Sequence, residues 1–215
     1  MTLDYFIAWF ALTFPLVFSP GPANIVFALS GATQGIKKSL PLLLGVDSAY
    51  IVCSMAVAFG VGDFLQRHPL LFTTAQWLGI AYLFYLTFRF FRAGAQAGQQ
   101  HNNKTSTSDN SVTSAQYRFY DGLLLQLLNP KGWSMMILMF SVFLDGSFPI
   151  VEQAIYLDVM LAVMNIATHL TWIASGAAIT HYMNNPQHAR KVSYIFASSL
   201  LLVTLSLLFD AIQQV

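Results

Sequence analysis

Charge is what this sequence has least of. Ten Lys/Arg and nine Asp/Glu make up 9% of its 215 residues and leave a formal net charge of +1. An ordinary globular domain carries roughly a quarter charged residues, so this chain has too little charge to cover a water-facing surface. Cysteine is scarcer still. Cys53 stands alone, which excludes an internal disulfide, a Cys-based metal site and a two-thiol redox relay within one chain. There is no Gly-x-Ser-x-Gly, no His-Glu-x-x-His and no His/Asp/Glu cluster at ligand spacing. No enzyme, cofactor, resident metal or nucleic-acid partner is therefore expected.

What fills the sequence instead is apolar: 56% of the residues are hydrophobic, and they come in long runs. Residues 5–30, 39–62, 69–88, 122–144, 153–180 and 192–209 each carry at most two ionisable groups. A helix needs roughly 20 apolar residues to cross the hydrocarbon core. The runs predict an all-α polytopic membrane protein, with six transmembrane helices in a single domain over 1–215. The first run is preceded by Asp4 rather than a basic stretch and outlasts a signal-peptide core, so it reads as a retained helix.

The basic residues fall in alternate loops: Lys37 and Lys38, then Arg89, Arg92, Lys104 and Arg118, then Arg190 and Lys191. Basic loops stay in the cytoplasm, which predicts that both termini face the periplasm of a bacterial inner membrane. The hydrophilic stretch 93–117 has little to bury and reads as a flexible cytoplasmic linker. It divides the chain into a first three-helix half (1–92) and a second (118–215).

The halves share a feature. The first helix is interrupted at Ser19-Pro20-Gly21-Pro22, and the fourth at Asn129-Pro130-Lys131-Gly132. Three helices per half make the two copies inverted, and paired helix breaks in inverted repeats point to the central site of a transporter. Ser19 and Asn129 are expected to cap second half-helices that begin at the prolines. Their positive ends would seat a carboxylate.

Polar residues within the apolar runs are few. Lys131 sits near the centre of the fourth. Asp47 lies 27 residues after Pro20 and Asp158 28 after Pro130, so they read as repeat-related positions. Either could be the counter-ion of Lys131, an ammonium site or a proton carrier. Asp158, Asn165, His169 and Gly176 share one face of the fifth helix at spacings of seven, four and seven. His169 and Asn165 could equally be interhelical hydrogen bonders. Gln126 shares a face with Asn129, and Asn24 follows the first break.

Phe18-Ser-Pro-Gly-Pro-Ala-Asn24 followed by Gly31, Gly35, Gly45 and Asp47 resembles the amino-terminal motif of the LysE/RhtB family of amino-acid exporters. Leu78-Gly79 through Leu86 is similar to that family's third helix, and Gly122 with Leu128-Asn129-Pro130-Lys131 to its fourth. The resemblance covers essentially the whole chain. It implies export of amino acids or close derivatives across the inner membrane, driven by proton antiport. Pro20, Gly21, Pro22, Asn24, Gln126, Asn129, Pro130 and Lys131 are the expected substrate contacts. Asp47, Asp158, Asn165 and His169 are the expected groups for proton coupling or ammonium binding. Asp158 and His169 lie outside the family motif and rest on the residues alone. The competing expectation is efflux of a metal cation or another small solute. The sequence leaves a homo-oligomer open.

Overall fold

Proline sets the start of four helices. The computed structural model describes residues 3–99, 117–145, 148–179 and 185–213. The chain forms α1 (Leu3–Phe18), α2 (Pro22–Ala56), a π-helical turn (Val57–Val61), α3 (Gly62–Arg67), α4 (Pro69–Gln99), α5 (Phe119–Leu127), α6 (Pro130–Phe143), α7 (Ile150–Ala178) and α8 (Pro186–Gln213). At the first helical position the missing proline N–H costs nothing, and its fixed φ already suits the helix, so α2, α4, α6 and α8 all begin there. No strand occurs among the described residues.

The loop expected around Lys37 and Lys38 shrinks to one residue. Gly35 at φ 76° is the non-helical position inside α2, a conformation that glycine adopts without the Cβ penalty. The Ser30 and Ser39 hydroxyls lie 2.7 Å apart. Nine residues along a straight helix would separate them by about 13 Å. The chain therefore doubles back at Gly35, and α2 consists of two arms, 22–34 and 36–56. Gln34 Nε2 donates to Ser30 Oγ at 2.7 Å and to the Lys38 carbonyl at 3.1 Å, and so closes the turn.

Among the described residues, four stretches are long and apolar enough to cross a membrane: Pro22–Val61, Pro69–Arg92, Ile150–Ala178 and Gln187–Gln213. The first of these counts both arms of α2 together. Leu3–Phe18 is apolar but shorter. α4 continues through Gln99, past the expected start of the linker. Residues 100–116, with Lys104, lie outside the described residues.

α2 is the hub. It packs against α7 and α5, while α4 packs against α8. Two of its contacts need glycine on both sides. A Cβ on Gly31 would meet the Ile173 carbonyl oxygen at 2.0 Å, and one on Gly176 would meet the Ala28 carbonyl oxygen at 1.8 Å. Gly45 and Gly122 bring α2 and α5 together in the same way. In the same first turn of α5, Arg89 of α4 reaches Asp121 at 4.0 Å and lies over the Tyr85 and Tyr117 rings.

Two apolar clusters form the interior. Phe27, Leu42, Leu86, Phe90, Leu125 and Ile173 belong to one, and Trp9, Tyr50, Met136, Met139, Leu157 and Leu161 to the other. Large apolar side chains also face outward, among them Val52, Leu70, Val163 and Leu202, each more than 60% exposed. Asn24, Asp47, Gln126, Asn129, Asp158, Asn165 and His169 are buried. An apolar exterior around a polar centre reverses the usual arrangement of a water-soluble domain and suits lipid.

Candidate functional site

The site begins with the unfinished end of α1. The last carbonyls of a helix have no partner within it. Here the Ser19 amide donates to the Pro15 carbonyl at 3.0 Å, and the Ser19 hydroxyl to that of Leu16 at 3.0 Å. Asn24, in the first turn of α2, donates through Nδ2 to the Val17 and Ser19 carbonyls, each at 2.9 Å. Ser19 thus completes α1, and the expectation that it caps the next helix is corrected. Pro22 takes the first position of α2, so the cap is Gly21, extended at φ −137° and ψ 176° with no side-chain hydrogen bond.

The second interruption is built from α5 and α6. The Trp133 indole donates to the Leu127 carbonyl at 2.9 Å, and the Trp133 amide to the Asn129 carbonyl at 3.2 Å. Asn129 stands in the cap position of α6 with Pro130 after it, but its side chain makes no capping bond. Lys131 comes next and crosses to the other interruption. Its Nζ donates to the Ser19 hydroxyl at 2.7 Å and the Ser19 carbonyl at 3.1 Å. Gly21 leaves room for it, since a Cβ there would stand 3.0 Å from Nζ.

The electrostatics of Lys131 are one-sided. It lies in the first turn of α6 and beside the start of α2, and helix N-termini repel a cation. Its hydrogen-bond acceptors on Ser19 are neutral. The salt bridges among the described residues are Arg89–Asp121 and His169–Asp47, neither involving Lys131. The counter-ion role considered for Asp47 or Asp158 is therefore not seen.

Both acids instead join α2 to α7. Asp47 Oδ1 lies 2.7 Å from His169 Nδ1, with both side chains buried, and Phe27 packs on the imidazole at 4.4 Å between ring centroids. Asp158 accepts a hydrogen bond from the Ser54 hydroxyl.

A small open cleft lies where the two interruptions meet. Gly21, Pro22, Asn24, Gln126, Asn129 and Lys131 line it, with Asn165 and His169 from α7. Pro20, Pro130, Asp47 and Asp158 do not. Five buried polar atoms of lining residues have no partner among the described residues: Asn24 Oδ1, Asn129 Oδ1, Gln126 Nε2, Asn165 Nδ2 and the Tyr50 hydroxyl. Leaving such an atom unpaired costs about 1–3 kcal/mol, so a polar occupant would relieve it.

Sequence reasoning missed Leu16, Val17, Ala23, Tyr50, Gly132 and Met135 of the wall, and Ser54. A signal existed for two of them: Asp47, Tyr50 and Ser54 are spaced by three and four and so share a helix face. Leu16 and Met135 gave none, because they resemble any lipid-facing residue.

Known proteins resemble the chain over most of its length. An uncharacterised membrane protein of Vibrio cholerae is 21% identical over 198 residues, covering 92% of this chain and 93% of its own length. A homoserine/homoserine lactone efflux protein of Salmonella typhimurium is 23% identical over 203 residues, 94% of this chain and 95% of its own. A cysteine/O-acetylserine efflux protein of Klebsiella pneumoniae is 25% identical over 184 residues, 82% of this chain and 84% of its own. No solved structure matches. The LysE type translocator family matches residues 14–211, a span that contains both interruptions, Lys131 and the Asp47–His169 pair, and the chain belongs to that family.

Proposed function

We propose that this protein exports small amino acids or close derivatives across the bacterial inner membrane in exchange for protons. One observation carries the reading: Lys131, held among two helix N-termini by neutral acceptors alone, faces a cleft with unpaired amide donors and acceptors. An ammonium so placed calls for an anion. Gln126 Nε2 adds a donor for a carboxylate, while Asn24 Oδ1 and Asn129 Oδ1 offer acceptors for an ammonium. A zwitterion presents both groups. The efflux proteins among the relatives carry such substrates in their names.

The working arrangement is six crossings in two inverted halves. α1 with the first arm of α2 makes one crossing, and α5 with α6 makes its counterpart. The second arm of α2 and α7 correspond, and each brings an acid to their shared interface. Proton coupling is assigned to the buried Asp47–His169 pair: His169 lines the cleft and Asp47 stands behind it. Asp158, with Asn165 on the same helix, is the second candidate.

A thermal-stability screen in lipid nanodiscs tests the class of ligand. A ligand at 100 times its Kd stabilises by about 2.7 kcal/mol, a shift of a few degrees. Neutral amino acids should raise the melting temperature. Stabilisation by divalent cations alone would overturn the reading in favour of metal efflux.

A further inference from the structure

We infer that the cleft accepts only substrates with an uncharged side chain, and that it takes the substrate's α-ammonium on amide oxygens rather than on a carboxylate. The inference rests on the amino-acid exporter reading and narrows its substrate class.

Among the described residues, no Asp or Glu lines the cleft. The two acids nearest in the fold are committed elsewhere, Asp47 to His169 and Asp158 to Ser54. Lys131 and His169, which line it, are the lining side chains that can carry a positive charge, and the one acidic group, the Tyr50 phenol, is neutral near pH 7. Asn24 supplies the best-defined acceptor. Its Nδ2 is used on two carbonyls, which fixes the amide orientation and leaves Oδ1 facing no protein donor in a side chain only 5% exposed. Asn129 Oδ1 is likewise unpaired, at 7% exposure.

A neutral zwitterion fits this field. Its carboxylate offsets Lys131, and its ammonium, already compensated by that carboxylate, needs hydrogen-bond acceptors more than a formal counter-charge. A second cationic group on the side chain would raise the positive charge of the occupied site with nothing opposite it. A buried charge without a partner is strongly disfavoured. The remaining wall, from Leu16, Tyr50 and Met135, offers apolar surface and one phenol.

The test compares binding of L-norleucine, L-lysine and hexanoate to the full chain in nanodiscs at neutral pH. Norleucine and lysine have nearly the same length and differ at the side-chain end by one ammonium; hexanoate lacks the α-ammonium. Lysine and hexanoate should each bind at least about tenfold more weakly than norleucine, a difference of about 1.4 kcal/mol. Asn165→Asp puts a carboxylate into the cleft at almost constant shape and should narrow the gap between norleucine and lysine. Lysine or hexanoate binding as tightly as norleucine to the wild type would overturn the inference, whether or not the variant folds. So would an unchanged ratio in a folded Asn165→Asp protein. If no amino acid of any charge binds, the exporter reading itself fails, a result distinct from equal binding of lysine.

Discussion

Lys131 occupies a position that its own helix disfavours, and it is tethered by a serine rather than an acid. Asp47 has one oxygen on His169 while its Oδ2 has no partner. The proposed coupling role of the pair can be tested at this residue. Asp47→Asn keeps the shape of the pair but cannot be charged. The expected outcome in reconstituted vesicles is export that no longer responds to an imposed pH gradient, while substrate exchange persists. An unchanged response would move coupling to Asp158. The residue types of this site were legible in the sequence, because a lysine, two aspartates and a histidine are conspicuous in apolar runs. Their pairing was not. Asp47 and His169 are 122 positions apart, and Lys131 and Ser19 are 112 apart, so nothing local joins them.

At the scale of elements, the interruptions hold together because freed carbonyls find donors. Asn24 alone serves two of them. Asn24→Ala would strip both in a buried setting, at about 1–3 kcal/mol for each acceptor left unmet. The expected result is a lowered melting temperature in detergent and weaker substrate binding; an unchanged melting temperature would mean that water or backbone shifts supply the donors. Proline made the positions of the interruptions readable from sequence, since it cannot continue a helix's hydrogen bonding. The cap at Gly21 was misread as Ser19 because both residues before the prolines are good caps by type. Only the second proline decides, and only the folded chain shows which one starts the helix. A loop was legible near Lys37 and Lys38, but not the one-residue reversal at Gly35, which depends on the Ser30–Ser39 contact.

At the scale of the whole molecule, hydropathy announced a membrane protein. The runs end where charge returns, and the outward apolar side chains follow the same pattern. What hydropathy could not give is packing. The central place of α2 depends on the close approaches at Gly31, Gly45, Gly122 and Gly176, which read in sequence as ordinary small residues. Sidedness rests on charge: eight of the ten Lys/Arg fall in alternate gaps between the apolar runs. Reporter fusions at Lys104 and at the carboxyl terminus should therefore report opposite sides of the membrane, and the same side for both would rule out six crossings.

The central claim is that Lys131 holds the carboxylate of a transported amino acid. Removing one partner of a buried charge-assisted contact costs about 2–5 kcal/mol, or about thirtyfold and more in affinity. The most direct measurement is export of a labelled neutral amino acid from reconstituted vesicles under a pH gradient, for the wild type and for Lys131→Ala at matched protein content. The wild type should export and the variant should fall to the level of empty vesicles. Export by Lys131→Ala at the wild-type rate would contradict the claim.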